Sequence, residues 1–190
     1  MLVRLAAASI ALLASQSLAQ SATQHISLGD RAYSSLDANA ALTHYEAAAA
    51  ADPQSYSALW KSSRSLMDIS AAESSKTRRD SIYGAAEKYA RRAITVAPTE
   101  AEGHFSLARS LGKTALAQSP KGRIRYAKEI RSEALKCLEL NARHAGCLHV
   151  MGIWNAEVRR LNGFTRAIAQ NFMGGQVFRS ATWEQAINYM

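Results

Sequence analysis

The chain has 190 residues, 48% hydrophobic and 20% charged, with 23 Lys and Arg against 15 Asp and Glu for a formal net charge of +8. That describes one domain of ordinary size with its own core, and two cysteines are too few for a disulfide framework. The basic residues are scattered apart from "KTRR" and "KGRIR", which reads as solvated helix faces and excludes a clustered nucleic-acid surface.

The first segment, "MLVR" followed by "LAAASIALLA" and "SQSLAQ", has the charged start, short apolar run and small-residue end of a secretory signal over residues 1–19. Cleavage after Ala19 removes Arg4 and leaves 22 basic against 15 acidic residues, or +7. The expectation is an exported protein, periplasmic or secreted, with no membrane span in its mature form; an uncleaved signal would leave it membrane-anchored.

From Ala22 onward a repeat is legible. Leu28, Gly29, Ala32, Ala41, Tyr45, Ala48 and Pro53 stand at the offsets of a tetratricopeptide unit, a pair of antiparallel helices that approach closely through small residues. The ending "AAAAADP" is how such a second helix stops before Pro. The ending recurs as "AEKYARRAITVAP" (Ala86, Ala90, Ala93, Pro98) and "IRSEALKCLELNA" (Ile130, Ala134, Cys137, Ala142), displaced by 45 and 44 residues. An unbroken array would give about 34, so "ISAAESSKTRRD" and "GKTALAQSPKGRIR" are inserts that either lengthen helices or form edge loops. A fourth unit opens at Ala145, with Met151 and Gly152 at the "LG" position, and resumes at "SATWEQAINYM", with Ala186 and Met190 at the small and aromatic positions. Between them lies an insert over about 160–178, in which Phe164, Ile168 and Phe172 form one apolar stripe and Gly174 and Gly175 end a helix. The expected fold is all-α, an alpha-alpha superhelix of about four tetratricopeptide helix pairs over 22–190, with units near 22–55, 56–100, 101–144 and 145–190 and the last incomplete.

Residues one turn apart on each first helix should line the concave wall. These are Ile26, Asp30 and Tyr33; Trp60, Arg64 and Met67; Phe105, Arg109 and Lys113; and His149, Ile153 and Glu157. The expected groove is Tyr33, Trp60, Arg64, Phe105, Arg109, Lys113, His149 and Ile153. It suits a protein or peptide segment with an acidic end, the aromatics burying its neighbours while Arg grips carboxylate. The alternative is a lipid or other apolar small molecule with cations at the rim. Packing between repeats competes with both readings at Trp60 and Phe105. Cys137 and Cys147 lie five residues either side of Ala142 and so face one another across a helix pair, either bridged or as two small buried residues. No phosphate loop, nucleophile elbow, HExxH helix or His set at metal spacing occurs, so the reading is non-enzymatic, without metal or cofactor.

The run "SPKGRIRYAKEIRSEALKCLELNARHAGCLHVMGIWNAEVRRLNGFTRAIAQNFMGG", followed by "ATWEQAINYM", resembles the regulator of microtubule dynamics proteins and their signal-bearing bacterial relatives over about residues 25–190. The resemblance implies an all-helical tetratricopeptide domain acting in binding, with no catalytic residues to carry over. Animal members are associated with microtubules and organelle membranes. The signal-like start departs from them, as does the early end of the chain.

Overall fold

The computed structural model describes residues 21–163 and 176–190, and every regular element among them is helical. The helices are α1 (21–34), α2 (Ala38–Ala51), α3 (Tyr56–Ala72), α4 (Lys76–Val96), α5 (Ala101–Leu116), α6 (Pro120–Leu140), α7 (Ala145–Arg160), α8 (Gln176–Arg179) and α9 (Trp183–Asn188). The expected signal segment and the stripe Phe164, Ile168 and Phe172 with Gly174 and Gly175 lie outside the described residues.

Side chains set the helix starts. Asp37, Ser75, Ser119 and Thr182 cap α2, α4, α6 and α9 by accepting a backbone N–H three residues on. Pro120 adds a preset φ at the first position of α6. The second helices α2, α4 and α6 end alike: Asp52, Ala97 and Asn141 donate N–H to the carbonyls of Ala48, Ala93 and Cys137 at 2.8, 2.9 and 2.8 Å. In the turns that follow, Ser55, Glu100 and His144 donate to Asp52, Ala97 and Asn141. One turn geometry is thus used three times, which is a repeat expressed as backbone hydrogen bonds.

Burial follows the small-residue offsets. Ala41, Tyr45 and Ala48, then Ala86, Ala90 and Ala93, then Ala134 and Cys137, are completely buried. Tyr45 fills the space over Gly29, and Met190 and the Ala186 carbonyl do so over Gly152. Consecutive helices pack in order from α2 to α7, α3 also touches α5, α5 touches α7, and α9 packs on α7. Contacts between alternate helices make a continuous inner wall, the mark of a superhelix rather than a closed bundle.

The inserts extend helices. The chain leaves α3 at Ala72 and enters α4 at Lys76, and leaves α5 at Leu116 and enters α6 at Pro120; α4 and α6 each run 21 residues. The largest core cluster, including Leu107, Leu111, Ile124, Ile130, Met151, Trp154, Val158 and Phe178, joins α5, α6, α7 and α8. Trp154 is buried there because its indole N–H donates to the Ala127 carbonyl at 2.7 Å and its ring stacks on Phe178, centroids 6.1 Å apart. No helix among the described residues is long and apolar enough to cross a membrane.

Candidate functional site

The inner wall holds a cavity of about 480 Å³ between α5, α6 and α7, roofed at one side by Leu161 and Phe178. Phe105, Arg109 and Lys113 come to it from α5 at one-turn spacing, and His149, Ile153 and Glu157 come from α7 in the same way. Its floor is apolar: Ile124, Ala127 and Ile130 from α6, Trp154 and Val158 from α7. Gly146 leaves the room that the Phe105 ring occupies, and this ring also lies against His144, centroids 4.8 Å apart.

Five of the eight residues expected in the groove, Phe105, Arg109, Lys113, His149 and Ile153, thus line one cavity. Tyr33, Trp60 and Arg64 do not reach it. The Arg64 guanidinium sits 3.6 Å from the Tyr33 ring centre and 4.9 Å from that of Trp60, a cation held over two aromatic faces. It also donates to the Tyr45 hydroxyl at 3.3 Å. Arg64 therefore belongs to the wall between the first two repeats, and of the three cations expected in the groove Arg109 and Lys113 line the cavity. Arg109 donates to Asp68 at 2.7 Å with both side chains 30% exposed, and the Tyr33 hydroxyl donates to the other Asp68 oxygen at 2.7 Å. Lys113 is exposed and pairs with no acid among the described residues.

Two further acids complete the electrostatics. Asp30 takes Lys61 on both oxygens at 2.7 Å and the Tyr45 hydroxyl at 2.7 Å. Partial burial pushes the Asp30 carboxyl up, but hydrogen bonds from Lys61 and Tyr45 and the charges of Lys61 and Arg64 outweigh it and hold it below its ordinary value. The Tyr45 hydroxyl is pushed well above its ordinary value, by burial first and then by its bond to Asp30. Glu157 takes Arg160 at 2.6 Å and Arg123 at 3.4 Å on the cavity rim.

Asp68 and the α6 floor were not singled out from the sequence. Asp68 stands four residues after Arg64 on the same face, and that offset was the available signal. The α6 residues carried none, because only the first helices were assigned to the wall. Cys137 and Cys147 are joined in a disulfide between the end of α6 and the first turn of α7, Cα to Cα 6.3 Å. His144, the N-cap of α7, places a ring nitrogen beside them, within 4.8 Å of both sulfurs. The reading of no metal signature passed over this third member of a Cys-x6-His-x2-Cys spacing.

Stacked antiparallel helix pairs with a lined inner wall define a tetratricopeptide superhelix. A thermophilic TPR protein of Thermus thermophilus is similar at TM-score 0.60 and 19% identity, over 88% of this chain and 82% of that one. MamA protein is similar at TM-score 0.53 and 14% identity, over 90% and 88%. Within that class the chain belongs to the regulator of microtubule dynamics protein 1-3 family, which matches residues 25–190. Regulator of microtubule dynamics protein 1 of Bos taurus is 28% identical over 133 residues, 69% of this chain and 41% of its own length. The Mus musculus protein is 29% identical over 135 residues, 69% and 43%. The chain spans about two fifths of the length of these relatives.

Proposed function

We propose that the protein is an exported, non-enzymatic scaffold that seats an apolar segment of another protein in the cavity between α5, α6 and α7. The observation that carries this is the meeting of Phe105, Ile153, Trp154 and Phe178 on the inner wall, with Arg109 and Lys113 one turn apart at the edge. A helix or extended segment with spaced apolar anchors buries them there, and an acidic group beside the anchors reaches Lys113 and the remaining donors of Arg109. The secretory pattern of residues 1–19 supports export. The relatives are named for microtubule dynamics, so tubulin is tested as a partner alongside proteins of the exported compartment.

A second reading, an acyl chain or other apolar small molecule, is favoured by the cavity's volume of about 480 Å³, which lies within the range of small-ligand sites. One experiment covers both. Mature protein and an Ile153→Asp variant are used in parallel pulldowns, with mass spectrometry of proteins and of extracted lipids, and in microtubule co-sedimentation. A protein lost with Ile153→Asp supports the scaffold, a lipid lost with it supports the carrier, and identical captures refute the cavity as the seat. Lys113→Glu should weaken an acidic partner by about 1 kcal/mol, read by titration calorimetry. It is a cleaner test than Arg109→Glu, which sets two carboxylates against each other at Asp68.

A further inference from the structure

We infer that Cys137, Cys147 and His144 form a redox-gated site for a borderline-soft divalent cation, with zinc the ion that fits, open to metal only when the disulfide is reduced. Three observations converge. The donor atoms of all three residues already lie within 4.8 Å of one another. Bonds of about 2.3 Å to sulfur and 2.0 Å to nitrogen put tetrahedral ligands about 3.5–3.8 Å apart, so the cluster closes on an ion by small side-chain rotations. The two sulfurs separate to about 3.8 Å when their bond is broken, a move within reach of Cα atoms 6.3 Å apart.

The imidazole is also prepared. Its Nδ1 accepts the Cys147 backbone N–H at 3.2 Å and so carries no proton. The proton is therefore on Nε2, which donates to Glu102 Oε1 at 3.2 Å. A carboxylate on the far nitrogen is the arrangement that metal-binding histidines use to fix tautomer and ring orientation, and the Nδ1 lone pair takes a metal by giving up its bond from the Cys147 N–H. Cys147 and His144 are held in the first turn of α7 and Cys137 in the last turn of α6, so the ligands sit on rigid elements. Cys137 and Cys147 are completely buried and the His144 side chain is 10% exposed, so reductant and ion enter when the α6–α7 turn opens.

The chemistry balances with a dithiol as reductant. It supplies two electrons and two protons, the Cys137–Cys147 bond breaks to two thiols, and the reductant becomes its own disulfide. The cation then displaces the two thiol protons to solvent and takes two thiolates and one imidazole. Disulfide and metal are mutually exclusive, so the same residues hold α6 to α7 by a covalent bond in one state and by coordination in the other.

The test uses the full chain, reduced with dithiothreitol that is then removed without oxygen, and titrated with Co²⁺ as a coloured probe and Zn²⁺ as competitor. The expected result is one ion per chain, with thiolate-to-cobalt absorption and strong visible bands of tetrahedral cobalt, both removed by zinc and absent from the oxidised chain. His144→Asn keeps a cap for α7 but removes the imidazole, and should lower affinity at least about 10-fold and change the visible bands. Glu102→Gln should weaken it about 10-fold. If reduction unfolds the chain, recovery of helical circular dichroism on adding zinc is the supporting result. A reduced chain that takes up no cobalt and recovers no structure overturns the site. So does a His144→Asn chain with unchanged spectrum and affinity, which would leave the disulfide as a staple only.

Discussion

A Cβ added at Gly29 would lie 2.5 Å from Cε1 of the completely buried Tyr45. Tyr45 cannot retreat, because its hydroxyl is bonded to Asp30. Gly29→Ala should therefore cost about 1–3 kcal/mol. Gly84, in the middle of α4, has nothing within 4 Å of an added Cβ, so Gly84→Ala should stabilise by about 0.5–1 kcal/mol through helix propensity alone. Urea midpoints of the two variants, moving in opposite directions, check both. The role of Gly29 was legible because the repeat offset puts it under the aromatic of its own helix pair. The matching role of Gly146 was not, since the ring it admits, Phe105, comes from the helix two positions earlier in the chain. Its partner is fixed by stacking of repeats rather than by any spacing within one.

Among the elements, α3 shows best what offsets can and cannot specify. They put Trp60 and Arg64 on the inner wall, but the acids that the cations meet depend on how α1, α3 and α5 curve past one another. Asp68 on α3 receives Tyr33 from α1 and Arg109 from α5. Asp68→Ala should cost about 1 kcal/mol in stability and, by freeing Arg109, tighten binding of an acidic peptide; calorimetry showing weaker binding would count against Arg109 as a partner contact. Asp30 supplies a pH dependence. Its carboxyl is held below the ordinary 3.8 in the folded chain, so between the two values the unfolded chain binds more protons and stability rises with pH. The contribution is present above 3.8 and is lost as pH falls through the folded value. Thermal melts below about pH 4 should show a shallower fall for Asp30→Asn than for the unchanged chain. Tyr56 works at the other end: burial pushes it up to about 12, while its hydroxyl oxygen accepts the Gly103 N–H at 3.0 Å. Stability should therefore decline between pH 10 and about 12, and less so in Tyr56→Phe.

For the whole molecule, small-residue periodicity and the Pro-terminated endings carried the superhelix, because they record the packing that every helix pair shares. The cavity was legible only on the two sides contributed by α5 and α7. Its floor comes largely from α6, a second helix that was not assigned to the wall, and its closing residue Phe178 lies where the fourth repeat is interrupted and no repeat offset applies. The Cys137–Cys147 bond ties the third repeat to the fourth at the α6–α7 turn, and a Cys137→Ser/Cys147→Ser chain should lose about 2–3 kcal/mol, measured by urea unfolding without reductant. Along the wall, Lys61 is matched by Asp30, Arg109 by Asp68, and Arg123 and Arg160 by Glu157. These three carboxylates answer four cations, so positive charge is left at the rim of the trough, where Lys113 is exposed. Ionic strength should consequently alter how fast an acidic partner arrives far more than how long it stays, so that residence in the trough is governed by the fit of apolar side chains against Phe105, Ile153 and Trp154.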